Sequence, residues 1–511
     1  MSFFNIFLNL RINYKLIFHV NICDISKNRA LAIGFEITIL LFYINTVIDH
    51  IIFLIHLTDI KKRVIIISEN LVHATNFETR CNMKLIERQN YLNKLIDRME
   101  NGSIKVITGI RRCGKSYLLF NIFYNHLLSV GVKEENIISL ALDDDANREY
   151  RDPDKLSEYL RSKITNRTEM FYILLDEVQF AISEEELKSN EPIRLYGILN
   201  GLLRYNNVDI YVTGSNSRFL SSDVMTEFRG RGDEVRVYPL SFSEFHSAYG
   251  GDKYDAFTEY STYGGLPMVL ARKSDSDKSK YLTDLLTNLY IKDVIERNRL
   301  HGDVVMETLV EILASDIGSL TNPTKLANTF GSNGIKTNDN TLSTYIGHLI
   351  DAFMVSKATR YDVKGKKYIN SPHKYYFTDV GLRNAKLNFR QMEPSHIMEN
   401  IIYNELLVRG YNVDVGVVDY YGKNSAGKRT LIHSEVDFIC NLGGNRYYIQ
   451  SAFSIPDEEK MKQEQASLDH IDDSFKKIIV VNDRTKPWKN EKGYLIINIM
   501  DFLLDSNSLD K

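Results

Sequence analysis

The run Gly109-Ile-Arg-Arg-Cys-Gly114-Lys115-Ser116 matches G-x4-G-K-S/T at every fixed position. Glycines at those places let backbone N–H groups turn toward an anion, and a helix opening at the lysine adds positive potential. The lysine reaches the β- and γ-phosphates of a nucleotide, and the serine hydroxyl ligates Mg²⁺. Further along, Tyr172, Ile173, Leu174 and Leu175 deliver Asp176 to the end of an apolar run, where a carboxylate can hold the metal's shell. Glu177 follows, placed to polarise an attacking water. The expected contacts to nucleotide are Gly109, Ile110, Arg111, Arg112, Cys113, Gly114, Lys115, Ser116 and Tyr117, with Ser116 and Asp176 on the metal. No Asn-Lys-x-Asp stretch for reading guanine occurs, so ATP is the nucleotide expected.

Other candidates are less specific. Asp143-Asp144-Asp145 is either a solvated loop or a neighbour of the water and metal. Asn216, just past another apolar run, could contact the γ-phosphate. Arg229 and Arg231 are either a surface pair or the source of an arginine finger. Cys113 is a small residue at a variable loop position, with redox control as the alternative.

The elements that must carry these residues follow from the apolar pattern. Ile104–Thr108, Ile137–Leu142, Met170–Leu175 and Asp209–Thr213 read as buried strands, separated by helical stretches after Ser116, over 154–165 and from Pro192 to Arg204. Strands alternating with helices predict a parallel sheet covered on both faces, an α/β fold. Residues 240–300 read as mostly helical, broken at Tyr263-Gly-Gly-Leu-Pro267. From 303 to 380 the pattern gives helices and then two strands, near Phe353–Thr359 and Lys374–Thr378. Residues 395–500 alternate again, with a helix near Ile397–Leu407 and strands near Val413–Val417, Val436–Ile439, Tyr447–Ile449, Ile478–Val481 and Tyr494–Ile497.

Bulk properties exclude less than the motifs. A chain of 511 residues with 44% hydrophobic and 25% charged side chains can fill several globular cores. A net charge of −3 gives no global reason for binding nucleic acid or anionic membrane, so any such surface must be local. Cys23, Cys81, Cys113 and Cys440 form no CxxC pair, which argues against zinc and a disulfide framework and for a reduced, cytoplasmic setting. Residues 1–82 contain no proline, and their most apolar part is broken by Asp49 and His50 and preceded by Glu36. A spanning helix needs about 20 apolar residues without such charges. We read this segment first as an extension outside the working protein, which would start at Met83; a loosely specified helical appendage is the second reading and a membrane anchor the last.

The strings GIRRCGKS, LLDEVQ, TGSNS, FRGR, YPLSFSEF and YGGLP, in this order, resemble a prokaryotic family of AAA-superfamily P-loop ATPases. The resemblance continues into the C-terminal domain of unknown function that accompanies them, and leaves 1–82 unmatched. It implies an ATPase core over 83–240, a helical lid over 241–302, a winged helix over 303–380 and a nuclease-like α/β domain over 395–505. It also implies Asn216 as the sensor-type polar residue and Arg231 as the finger, which makes Glu177, Asn216 and Arg231 the expected catalytic set.

In the implied winged helix, Asn322–Phe330 and Thr341–Ala352 would be the helix pair. The second helix has no Lys or Arg for reading a major groove. The wing carries Lys357, Arg360, Lys364, Lys366, Lys367 and Lys374 against Asp362 alone, so residues 357–374 could track phosphates weakly and without sequence preference, or be a solvated hairpin. The last domain resembles the PD-(D/E)XK nuclease fold, in which a helix acid, a strand aspartate and a following (D/E)-x-K bind metal. Glu399 and Asp437 fit the acids; Gln450 and Ala452 replace the last acid and the lysine, so cleavage chemistry is not expected. The function expected is Mg²⁺-dependent ATP hydrolysis coupled to a protein or nucleic-acid partner, with a homo-oligomer open. The alternatives are a DNA-processing nuclease-ATPase and a nucleotide-gated interaction module with little turnover.

Overall fold

In the computed structural model Met83–Lys511 form one compact unit. The structure describes residues 86–511 apart from 167, 184, 187–191, 215–227, 229, 301–302 and 424–427. The expectations for 1–82, Asn216 and Arg229 lie outside those residues.

The first sheet is parallel throughout. It comprises β1 (Ile104–Thr108), β2 (Ile137–Ala141), β3 (Phe171–Asp176), β4 (Val208–Thr213) and β5 (Gly232–Arg236), in the order β2-β3-β4-β1-β5. β1, β3 and β4 are buried along their whole length, as strands covered on both faces must be. One face packs against Tyr91, Leu95, Leu119 and Phe123, the other against Leu156, Leu160, Leu195 and Leu199. β5 was not foreseen. As an edge strand reading Gly-Asp-Glu-Val-Arg it buries little besides Gly232 and Val235, so its hydrophobic signal is weak. The helix after the glycine-rich loop begins at Lys115 and passes through a π-helical segment, Leu118–Phe123, into Tyr124–Ser129.

Residues 242–298 are mostly helical: Phe242–Tyr249, Lys253–Tyr263, Pro267–Leu270, Asp275–Leu285, a π-helical Leu286–Ile291, and Lys292–Asn298. The first opens on a capping box between Ser241 and Glu244. At the Tyr263–Pro267 turn the backbone of another segment comes very close. A Cβ on Gly264 would lie 2.1 Å from Asp379 Oδ1, and one on Gly381 2.1 Å from the Tyr263 carbonyl oxygen. Asp379 accepts from the N–H groups of Gly265 (2.7 Å) and Leu382 (3.1 Å), and Asn384 donates to the carbonyls of Ser261 and Thr262.

Three helices follow, Asp303–Ser315, Pro323–Ser332 and Asp339–Asp351, and then β6 (Val355–Asp362) and β7 (Lys367–Phe377). The hairpin expected as a wing is not a free flap. β6 pairs in parallel with β8 (Asn412–Lys423), through Arg360↔Val415 to Asp362↔Val417. Together with β9 (Arg429–Leu442), β10 (Asn445–Ala452), β11 (Lys476–Val481), β12 (Trp488–Lys489) and β13 (Leu495–Asn498), this gives one mixed sheet ordered β12-β13-β11-β10-β9-β8-β6-β7. Helix Pro394–Val408 covers one face through Ile397, Ile401, Ile402 and Leu406, packed with Val413, Phe438 and Ile449. Phe242 and Phe245 join that core, so the helical region and the second sheet share an apolar interior.

Candidate nucleotide site

The loop sits where β1 ends, and its shape is set by left-handed backbone. Gly109, Arg112 and Gly114 have φ of 138°, 63° and 99°. Gly109 admits no side chain, since a Cβ there would meet the Val237 carbonyl oxygen at 2.0 Å. Ile110 is buried, and so is Cys113, whose thiol donates to the Val237 carbonyl at 3.4 Å. Lys115 is 4% exposed and folds its ammonium back over the loop, donating to the carbonyls of Gly109 (3.0 Å) and Ile110 (3.2 Å). Those acceptors are neutral, so an anionic phosphate would be a stronger partner for the same group. Arg111 reaches Asp293 at 3.5 Å. Tyr117 lies half-buried in the first helical turn.

Asp176 closes β3, beyond the intervening β4, and faces this loop. Its carboxylate accepts from the Thr213 hydroxyl, and the Ser116 hydroxyl stands close enough to lower its pKa. Burial raises its pKa; the hydrogen bonds from Ser116 and Thr213 oppose this, and the charges of Glu177 and Asp143 add to it. A buried, partly uncompensated carboxylate beside a serine hydroxyl is a donor set that suits Mg²⁺, whose charge would remove the penalty. Thr213, the last residue of β4, also accepts from the N–H of Glu177 at 3.1 Å. Glu177 itself is left-handed (φ 50°), and its carboxylate accepts from the Gln179 side-chain amide. Asp143 is exposed yet close enough to act on Asp176, whereas Asp144 caps the following helical turn by accepting from the Ala146 N–H.

The structure does not bring Arg231 to this site. Its carbonyl accepts from Ile104 N–H at 2.8 Å, which places it at the start of β1, the opposite end of the strand from the loop. Three contributors escaped the sequence reading. Thr213 left a weak trace, a polar residue ending a buried run. Arg88 and Tyr290 left none. Arg88 Nη1 donates to the Cys113 carbonyl at 3.1 Å, and Tyr290 Oη to the Arg111 carbonyl at 2.7 Å.

A second cluster lies in the other sheet. Lys374 was expected on an exposed wing; it is 4% exposed, because β7 turns it inward opposite Ala358. Its ammonium lies 2.6 Å from Glu435, 2.9 Å from Glu399 and 3.6 Å from Asp437. Burial works against that charge, but Glu399, Asp437 and Glu435 outweigh it and raise the lysine's pKa. Tyr376 Oη donates to Glu399 at 2.6 Å. Asp437 is pushed up to about 8, by burial first and by the charge of Glu399 second. Gln450 Oε1 accepts from the Asp437 N–H at 3.4 Å, and Ala452 is buried. Lys357, Lys364, Lys366 and Lys367 are exposed.

A five-stranded parallel sheet with this loop after a central strand defines a P-loop NTPase fold. Residues 101–246 match the AAA domain family, and residues 254–393 match a domain of unknown function (DUF8612). An uncharacterized protein of Haemophilus influenzae is 32% identical over 425 residues, covering 82% of this chain and 99% of its own length. One from Methanocaldococcus jannaschii is 25% identical over 441 residues, 81% of this chain and 91% of its own. The chain belongs to the family of the Haemophilus influenzae protein, and its ATPase-type core is an AAA domain. Among solved structures, the Aeropyrum pernix ORC1 protein in complex with DNA aligns at 13% identity and a TM-score of 0.28, over 60% of this chain and 93% of that one.

Proposed function

We propose that the chain is a Mg²⁺-dependent ATPase of the AAA superfamily that couples its nucleotide state to a partner. The observation that carries this reading is the convergence of Lys115, the Ser116 hydroxyl and the Asp176 carboxylate at the ends of β1 and β3. Ser116 and Asp176 would hold Mg²⁺, which supplies charge neutralisation between the β- and γ-phosphates. Lys115 exchanges its loop carbonyls for phosphate oxygens. Glu177, beside Asp176, orients and polarises the water, and its N–H bond to Thr213 fixes its distance from the metal carboxylate. Arg231, exposed at the far end of the sheet, fits an arginine finger only in an oligomer, where it would reach a neighbour's nucleotide.

For the partner, exposed Lys357, Lys364, Lys366 and Lys367 support weak phosphate tracking, while helix Asp339–Asp351 offers no Lys or Arg for base reading. The C-terminal region fits a nuclease-like fold used for binding. Glu399 and Asp437 stand together on a helix and a strand, but Lys374 sits between them and Gln450 adds only a neutral oxygen. The deciding experiment is ATP turnover and binding by the full chain with Mg²⁺. Lys115→Ala should abolish tight ATP binding with the melting temperature of the free protein kept. A Lys115→Ala protein that binds ATP as wild type does would refute the site.

A further inference from the structure

A phosphate loop works only if its N–H groups face inward, and the planar trans peptide makes that a statement about carbonyls. In each peptide unit the C=O of one residue and the N–H of the next point in opposite directions. Fixing the Cys113 carbonyl outward therefore aims the Gly114 N–H inward, and fixing the Arg111 carbonyl does the same for Arg112. Arg112 and Gly114 are two of the left-handed positions, so the loop alternates as an anion-binding nest does. An outward carbonyl buried against protein needs a donor, or it turns back to find one.

Both donors come from outside the motif. Arg88, 4% exposed, donates to two carbonyls, Cys113 O at 3.1 Å and Tyr238 O at 2.7 Å, while its Nε lies 3.2 Å from the Glu244 carboxylate as an ion pair. It stacks 4.5 Å over the ring of Tyr91, whose hydroxyl accepts from the Tyr238 N–H at 3.2 Å. Arg88 itself is left-handed (φ 46°), a conformation a non-glycine residue keeps only when its surroundings hold it. Tyr290, also 4% exposed, reaches from the helical region to Arg111 O at 2.7 Å.

We propose that Arg88 and Tyr290 are positioning residues for phosphate binding, clamping the loop at two of its carbonyls so that the Gly114 and Arg112 N–H groups face the anion. The proposal rests on the nucleotide-binding reading above. Because the clamp acts on the loop backbone, its loss should weaken any ligand that uses those N–H groups, including pyrophosphate without a base or sugar.

The test is calorimetric titration of the full chain with MgADP and with pyrophosphate, comparing wild type, Tyr290→Phe, Arg88→Ala and Arg88→Lys. Each variant should bind both ligands about tenfold more weakly per folded molecule, the scale of one lost hydrogen bond. Millimolar guanidinium should restore the affinity of Arg88→Ala. Tyr290→Phe keeps the ring and its packing, so it carries the test alone if Arg88→Ala does not fold. Wild-type affinity in folded Tyr290→Phe and Arg88→Ala, with only the melting temperature lowered, would overturn the proposal. A wild-type protein that binds neither ligand would overturn the nucleotide reading itself.

Discussion

Replacing Lys374 with Met keeps most of the side chain's bulk and removes its charge from among three carboxylates. Glu399 and Asp437 are each no more than 9% exposed, so neither can turn to solvent to compensate. Breaking a buried ion pair by deleting one partner costs about 3–5 kcal/mol. For a cooperative unit of ordinary domain size each kcal/mol moves the melting temperature about 2–4 °C, so a drop of roughly 6 °C or more is expected. The loss should also depend on pH. The lysine stays charged across the neutral range, so the trend comes from the acids. Without the ammonium the Asp437 pKa rises beyond its value of about 8, so the loss should be larger at pH 9 than at pH 6, by up to about 1.4 kcal/mol for each added unit. Differential scanning calorimetry at those two pH values reads both effects. A melting temperature within about 1 °C of wild type at pH 9, or a loss equal at both, would mean that Lys374 does not neutralise this cluster.

Glu177→Gln should bind ATP while hydrolysing it about 10²–10⁴ times more slowly, the range for losing a general base; steady-state turnover beside nucleotide affinity checks it. Asp437→Asn should flatten the dependence of melting temperature on pH. With its pKa at about 8, the folded state keeps a proton that the unfolded chain releases near pH 4, so this group lowers stability as pH rises through that window. Changing Lys364, Lys366 and Lys367 together to Ala should weaken nucleic-acid binding and flatten its salt dependence; a sharp sequence preference that survives would show base readout elsewhere.

What the sequence made legible was whatever is encoded over a few neighbouring residues. The phosphate loop has fixed residue types between a buried strand and a helix, and Asp176 ends a run of apolar residues. The four mostly apolar strands could be read for the same reason, whereas β5 could not, because its side chains are mostly charged. Arg88 contacts carbonyls 25 and 150 positions away, and no local pattern announces such pairs. Lys374 misled for a related cause. Along a hairpin its alternation fits solvent or core equally well, and its burial depends on β8 joining β6 and on Glu399, Glu435 and Asp437 arriving from further along the chain.

At the contact between the Tyr263–Pro267 turn and Asp379–Leu382, Gly381 lies against the Tyr263 carbonyl and Gly264 against the Asp379 carboxylate, which the N–H groups of Gly265 and Leu382 hold in place. Mechanically the contact is a linkage with almost no backlash. Side chains take up small displacements by changing rotamer, but glycines and peptide groups have none to change, and the Asp379 carboxylate is tied by hydrogen bonds to N–H groups on both sides. Whatever rotation the helices from Lys253 to Asn298 undergo, helix Val380–Lys386 must follow it, and β7 feeds directly into that helix. A tilt of those helices would thus reach the strand that carries Lys374. Enlarging Gly264 or Gly381 should act less like removing a part than like introducing slack.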